Sequence, residues 1–314
     1  LAVSNTISVT VSIMLGAGDG TIGLKEKYGV GNYLNEIHCC DLDGDGIIDL
    51  AVSDRMANSI FVMLGTGGAV FSPAVEYAVG RSARAVCSGD FNGDTCLDLV
   101  SANMYSDNVS VLLGYGDGTF APADSFEVES RPRSVCACDL DNDGIDDLAT
   151  VNESGHSVSI LLGQGDGTFA AAVNYPVGNG PYYIHAADLD EDGNIDLVVA
   201  DQYDDTVTIF SGRGDGTVDD GILFSSWRGP CSVSSGDIDG DGNLDLAVAN
   251  WNSDDIAVLL GDGTGKFKSP TYYKTGNGPH SIKCADLDGD GDLDIVVANA
   301  LSDGISVLLN EMND

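Results

Sequence analysis

Basic side chains are scarce in this chain: 13 Lys and Arg stand against 50 Asp and Glu, a formal charge of −37 over 314 residues. Binding nucleic-acid phosphates requires a basic surface, so no nucleic-acid partner is expected. No apolar run is long enough to span a bilayer and no signal peptide is visible, so no membrane insertion is expected either. A helical period is missing throughout. The four histidines (His38, His156, His185 and His280) fall at different registers, and no Ser or Cys motif marks a nucleophile, so the chain does not read as an enzyme. Eight cysteines follow no repeating disulfide pattern. Most read as small residues filling crowded strands, with Cys87 and Cys96 as one conceivable local bridge. The chain opens at Leu1 without Met and inside a repeat, as an excised or processed piece of something longer would.

What the chain has is a period. A ten-residue acidic phrase begins at Asp41, Asp90, Asp139, Asp188, Asp237 and Asp286, each copy 49 residues after the last. The copies read DLDGDGIIDL, DFNGDTCLDL, DLDNDGIDDL, DLDEDGNIDL, DIDGDGNLDL and DLDGDGDLDI. A fixed period without insertion means one structural unit repeated and stabilised by its neighbours. The units span 1–49, 50–98, 99–147, 148–196, 197–245 and 246–294, with a partial copy at 295–314, in a single domain covering 1–314.

Each unit carries four short strand signals. Small residues precede the acidic phrase, a β-branched run such as LVVAD follows it, and an alternating segment such as SVSILLG comes next, read as a strand with one buried face. A GDGT hairpin then leads to a fourth segment with an aromatic at one register: Tyr28, Tyr77, Phe126, Tyr175, Phe224 and Tyr273. Four antiparallel strands repeated at this length form an all-β propeller, with the first strand nearest the axis. The second and third strands occur seven times and the first and fourth six times. Seven blades with incomplete terminal blades are therefore expected, completed by a longer chain or by a neighbour.

The acidic phrase has the spacing of a calcium loop, with oxygen ligands at positions 1, 3, 5 and 9 and a backbone carbonyl at position 7. The expected ligands are Asp41, Asp43, Asp45, Ile47 and Asp49 in the first loop, and Asp90, Asn92, Asp94, Cys96 and Asp98 in the second. The third offers Asp139, Asp141, Asp143, Ile145 and Asp147, and the fourth Asp188, Asp190, Asp192, Asn194 and Asp196. The fifth offers Asp237, Asp239, Asp241, Asn243 and Asp245, and the sixth Asp286, Asp288, Asp290, Asp292 and Asp294. These positions hold 23 of the 50 acidic residues, so much of the negative charge is ligand charge. Six bound Ca²⁺ ions would bring the net charge to about −25. Magnesium fits less well, because it demands tight octahedral geometry. Asn92 and Thr95 depart from the pattern, the latter standing where other loops turn on Gly46, Gly144, Gly193, Gly242 or Gly291. The second loop is expected to bind most weakly.

The phrase D-x-D-G-D-x-x-x-D-L, followed by an apolar strand, SVLLG and GDGTF, closely resembles the FG-GAP and VCBS repeats of integrin α-subunit-like propellers, over essentially the whole chain. The resemblance implies stabilising calcium ions on one face. It also implies an extracellular or cell-surface protein of adhesion, lectin or scaffold type. It names no ligand.

A partner site is expected on the face away from the acidic loops. Tyr182, Tyr183, Tyr203, Trp227 and Trp251 gather there with Arg228, and aromatic platforms beside polar groups suit a sugar or a protein hot spot. Ordinary packing of rim aromatics between blades is the plainer reading of the same residues. Arg213, Gly214 and Asp215 spell RGD, but GDG belongs to the repeat and chance accounts for the Arg. His38, Cys87, Cys136 and His185 could suit zinc but lie in four different blades. Asn108 and Asn152 lie in glycosylation sequons. The expected function is a calcium-stabilised, non-catalytic recognition or adhesion module binding a protein or glycan. A structural subunit, pairing with further copies of itself or with flanking domains, is the second reading. A catalytic propeller comes third.

Overall fold

The computed structural model describes residues 1–225 and 228–311. Its strands form seven antiparallel sheets, five of four strands and two of three, and no helix occurs among the described residues. These sheets are the seven blades of a β-propeller. In the second blade the strands are Leu34–Cys40, Asp49–Asp54, Ser59–Met63 and Val75–Ala78, paired in that order, and the pattern recurs at the 49-residue spacing. The first blade lacks the first strand and consists of Ala2–Asn5, Thr10–Gly16 and Ile22–Gly29. The seventh lacks the fourth and consists of Pro279–Ala285, Asp294–Asn299 and Gly304–Leu308. Third strands are fully buried in the second, fourth, fifth and sixth blades, whereas Gly304–Leu308 is only partly covered, because no strand among the described residues pairs with its outer edge.

The chain packs as two compact units, Leu1–Met14 with Leu24–Pro176, and Leu15–Gly23 with Val177–Asp314. In the first unit the first strands Leu34–Cys40, Ala83–Gly89 and Pro132–Cys138 pack side by side. Space there is short: a Cβ at Gly89 would press on Phe91 and Ala137. The core lies between blades, where Phe91, Val100, Val111, Val135, Leu148 and Phe169 are buried together. Each such side chain contributes roughly 1.5–3 kcal/mol by leaving water. In the second unit Pro181–Ala187, Pro230–Gly236 and Pro279–Ala285 pack in the same way, and Leu189, Val198, Ile209, Val233, Leu246 and Leu259 form the matching core.

The aromatic register of the fourth strand has a packing cause. Tyr28 meets Phe71 of the next blade edge-to-face at 5.9 Å, and Tyr77–Phe120 (5.4 Å), Phe126–Phe169 (5.1 Å) and Phe224–Phe267 (6.0 Å) repeat the contact. Each pair is worth about 0.5–1.5 kcal/mol beyond area burial.

The alternating third strand differs from its sequence reading. Its polar residues face neither water nor an open sheet surface: Ser157 and Ser159 are buried. Asn152, at the end of the second strand, donates its side-chain amide to their hydroxyls at 3.0 and 2.8 Å, and Ser159 donates on to Asn174 at 2.6 Å. Buried hydroxyls tolerate such a place only when hydrogen-bonded. Asn103 and Asn299 repeat the arrangement with Ser110 and Ser306.

Candidate metal centres

Each acidic loop is shaped by its own backbone. In the first, Asp41 accepts the N–H of Gly44 at 2.8 Å and of Asp45 at 3.2 Å on Oδ1, and of Gly46 at 2.8 Å on Oδ2. Asp45 Oδ1 accepts the Ile47 N–H at 2.7 Å. These bonds wind the chain so that the carboxylates at alternate positions point inward. The winding needs two left-handed residues, Gly44 (φ 73°) and Gly46 (φ 83°). Non-glycine residues fill the first of these positions in the third and fourth loops, Asn142 at φ 60° and Glu191 at φ 57°.

Position 9 acts differently. Asp49 is buried, its Oδ2 accepting the Leu42 N–H at 2.8 Å and its Oδ1 the Gly65 N–H at 2.6 Å. Asp98, Asp147, Asp196, Asp245 and Asp294 make the same two bonds, the outer donors being Gly114, Gly163, Gly212, Gly261 and Asn310. One carboxylate thus clamps the loop to the far end of the third strand. Five of the six donors are glycines, and at Gly212 a Cβ would collide with the carbonyl oxygen of Ile195. Burial pushes the pKa of Asp98, Asp147 and Asp196 up to about 6 in each case.

Five triads bring carboxylate oxygens within 4.8 Å of one another: Asp41, Asp43 and Asp45; Asp139, Asp141 and Asp147; Asp188, Asp190 and Asp196; Asp237, Asp239 and Asp245; Asp286, Asp288 and Asp290. Each can hold a metal ion. The donors are all oxygens, which suits a hard cation. Oδ1 of Asp190 and of Asp237 is buried without a hydrogen-bond partner, as an oxygen reserved for an ion would be. Burial and then the neighbouring carboxylates Asp143 and Asp192 raise the pKa of Asp141 and Asp190, a penalty that a bound cation reverses.

The second loop forms no such triad among the described residues. Asn92 donates its amide to Asp94 Oδ2 at 3.0 Å, filling an acceptor with a hydrogen atom, and Thr95 takes the left-handed turn at φ 70°.

Of the candidate ligand-binding residues, Tyr182 and Trp251 come together on a histidine that the sequence did not single out. The Tyr182 hydroxyl lies 2.8 Å from His280 Nε2, and the His280 ring meets those of Tyr182 and Trp251 edge-on at 5.8 and 5.6 Å. Both aromatics also pack against the apolar core of the second unit, as does Tyr183 at another cluster. Tyr203 is exposed and Arg228 is exposed, and neither joins this group of rings. Trp227 lies outside the described residues.

Two serine–histidine pairs also escaped the sequence reading: His38 Nε2 is 3.0 Å from Ser88 Oγ, and His185 Nε2 is 2.8 Å from Ser235 Oγ. Burial, helped by the charge of Lys283, lowers the His185 pKa to about 4. All eight cysteines are free thiols, so no bridge joins Cys87 to Cys96. Asn152 is buried in its serine network and offers no glycan site. Arg213 of the RGD tripeptide is held in an ion pair with Asp219 of its own hairpin.

Repeated four-stranded blades with an acid-lined loop between first and second strands define a propeller whose turns can hold metal ions. The FG-GAP-like repeat matches residues 41–101, 90–150, 139–199, 188–248 and 237–297, and the chain belongs to that family. No curated protein matches the chain in sequence. Among solved structures, a putative 6-phosphogluconolactonase from Bacteroides uniformis is 17% identical with a TM-score of 0.72, over 96% of this chain and 88% of that one. BBS1N in complex with ARL6DN gives 18% identity and a TM-score of 0.65, over 96% and 84%. An Agrocybe aegerita lectin specific for non-reducing terminal N-acetylglucosamine gives 20% and 0.55, over 87% and 79%. At these identities the likeness concerns the fold alone.

Proposed function

We propose that the chain is a calcium-stabilised, non-catalytic propeller that recognises a protein or glycan ligand outside the cell. One observation carries this reading. The acidic end of the first strand keeps the same buried position-9 aspartate in all six copies, whereas the opposite end carries Asn35, Arg84, Arg133, Tyr182, Cys231 and His280 at one register. Likeness at one end suits holding the fold, and difference at the other suits recognition. Calcium is favoured by the all-oxygen donor sets and the spacing of the loop. A lectin with the same fold, specific for terminal N-acetylglucosamine, supports a glycan as one ligand class.

The test pairs calcium titration by calorimetry with a glycan array on the calcium-loaded chain. Calcium binding with selective glycan or protein capture, lost in Tyr182→Ala with Trp251→Ala, is the expected result. Capture untouched by both substitutions would remove the aromatic site, and turnover of a captured ligand would remove the non-catalytic assignment. A second reading, a structural subunit of a surface assembly, draws on the open edge of Gly304–Leu308, since unpaired strands accept further strands. Filaments seen by electron microscopy of the native material would favour it.

A further inference from the structure

The second and third strands of each blade are joined by a four-residue turn at the end remote from the acidic loop. In the first three blades the pairs Asn5–Thr10, Asp54–Ser59 and Asn103–Asn108 close it. Its fourth residue is left-handed in all seven blades, with φ between 51° and 58°. Its second residue forms the tip. In the first three blades that residue is Ile7, Met56 and Tyr105, and these are 93%, 65% and 57% exposed. The turn does not require them, since Ser154 and Asn252 hold the same position in the fourth and sixth blades. Single apolar residues on a surface are ordinary, but one exposed register in three successive blades marks an interaction surface.

Hydrogen bonds tie these turns to the loops that enter the next blades. Val30 donates its N–H to the Val9 carbonyl at 3.2 Å, and Arg55 donates its own to the Tyr33 carbonyl at 3.2 Å. The Ser82 N–H reaches Asn58 Oδ1 at 2.8 Å, the Tyr105 N–H the Arg81 carbonyl at 3.0 Å, and the Arg131 N–H Asp107 Oδ1 at 2.8 Å. Turn and entry loop therefore alternate along one rim of the first unit, and Arg55, Arg81 and Arg131 stand in it among the tips. Arg55 lies 4.0 Å over the Tyr33 ring, and Arg131 lies 5.8 Å from the ring of Tyr105 itself.

Two more arginines reach the rim through β-bulges. In five blades the register of the first strand slips as it enters the sheet, at Ala83/Ala85, Pro132/Ser134, Pro181/Tyr183, Pro230/Ser232 and Pro279/Ser281. The residues inside those slips are Arg84, Arg133, Tyr182, Cys231 and His280. A bulge frees a side chain from the ladder and re-aims it. Arg84 is engaged by Asn35 Oδ1 and the Met104 sulfur, and Arg133 by Glu153 Oε2 at 2.7 Å, so both serve within the protein. Over 5–10, 30–34, 54–58, 79–84, 103–108 and 128–133 the rim holds five of the seven arginines against three acids, Asp54, Asp107 and Glu129. In a chain of net charge −37 that is a local reversal of sign. Asp54, moreover, is buried and spends both oxygens on the N–H groups of Asn32, Tyr33, Met56 and Ala57.

We infer that this rim of the first unit rests on an anionic phospholipid surface. Ile7, Met56 and Tyr105 enter between the headgroups, and Arg55, Arg81 and Arg131 meet the phosphates. Apolar side chains standing out from turn tips suit a soft surface that closes around them, whereas a folded partner would need a hollow matched to each. Tyrosine favours the headgroup level, and arginine keeps its charge there while its stem lies along apolar surface. Positive charge beside the tips is what anionic headgroups attract. Tyr203 and Leu301 hold the same register in the second unit and are exposed too, but their turns carry Asp204, Asp205 and Asp303, which such a surface repels. The contact therefore belongs to the first unit. It is peripheral and needs no spanning segment.

The experiment is co-sedimentation of the intact chain, with calcium present, on vesicles of phosphatidylcholine alone and of an equal mixture with phosphatidylserine. Binding to the mixed vesicles only, weakening as salt rises, is expected. Met56→Glu and Tyr105→Glu are each expected to weaken it about tenfold. Arg55→Gln and Arg81→Gln should each weaken it about fivefold. Leu24→Glu, on the fourth strand of the first blade, should leave it unchanged. Brominated lipid should quench the emission of Met56→Trp more than that of the parent. Equal binding to both vesicles, binding to neither, or an unquenched Met56→Trp would overturn the assignment. So would undiminished binding by tip variants that melt like the parent, the result expected if calcium merely bridged the acidic loops to the lipid. Capture of polyglutamate in place of vesicles would overturn the lipid and put an acidic protein segment on the same rim.

Discussion

Thr95 donates its backbone N–H to Asp90 Oδ2 at 2.8 Å while holding a φ of 70°. The five other acidic loops give that bond to a glycine, for which the conformation carries no steric cost. For a β-branched residue it costs about 1–2 kcal/mol. Thr95→Gly is therefore expected to raise unfolding stability by about 1 kcal/mol, after allowing for the looser unfolded chain. A denaturant midpoint that stays put or falls would show that the turn is not strained.

The same loop is expected to fill last in a calcium titration, since Asn92 replaces a carboxylate and spends its amide on Asp94. Asn92→Asp should bring its affinity toward that of the other loops. Site-resolved NMR settles the order, and filling of the Asp90 loop ahead of the rest would refute it.

Chelation is expected to lower the melting temperature sharply. An ion that binds only the folded chain, at a hundred times its dissociation constant, contributes about 2.7 kcal/mol per site. Calcium added back should restore the melting point, and magnesium should restore less of it. Scanning calorimetry with EGTA, then with each ion in excess, gives the comparison; equal melting with and without chelator would count against metal in the loops.

Asp201 offers a pH test away from the loops. It stands in the register of Asn103, Asn152, Asn250 and Asn299, accepts the Thr208 hydroxyl at 2.5 Å, and burial pushes its pKa up to about 6 from an ordinary 3.8. Between those values the folded chain holds a proton that the unfolded chain has released. Stability from this group is thus complete below the lower value and is lost as pH rises through about 6. The full loss is on the order of 3 kcal/mol. Asp201→Asn should remove that slope and stabilise the protein at pH 8, as read by urea midpoints from pH 4 to 8.

The period, the strand count, the two short blades and the acidic loops were all legible in the sequence, because a repeat prints its own alignment. The aromatic register was legible too, though not its reason, which is a contact with the next blade rather than within its own. Buried Ser157 and Ser159 were hidden because alternation looks the same whether the polar face meets water or an asparagine. Asp49 and its equivalents stood out as ligands, but their clamp to Gly65 and its equivalents spans 16 residues and carries no local signal. Arg84 and His280 were passed over since a bulge shows only as backbone register. Aligning the repeats does reveal that position, as the one directly after Pro132, Pro181, Pro230 and Pro279 where identity never settles.

Those bulges make the chain a natural display scaffold. A bulge residue is excused from the ladder, so its identity is decoupled from strand pairing and from the far end, where the ions would sit. One position in each of four blades can be randomised in a library while the repeat holds its shape. Selection can then write new specificities into Arg84, Arg133, Tyr182 and His280, whereas Cys231, buried in the apolar core, stays as it is.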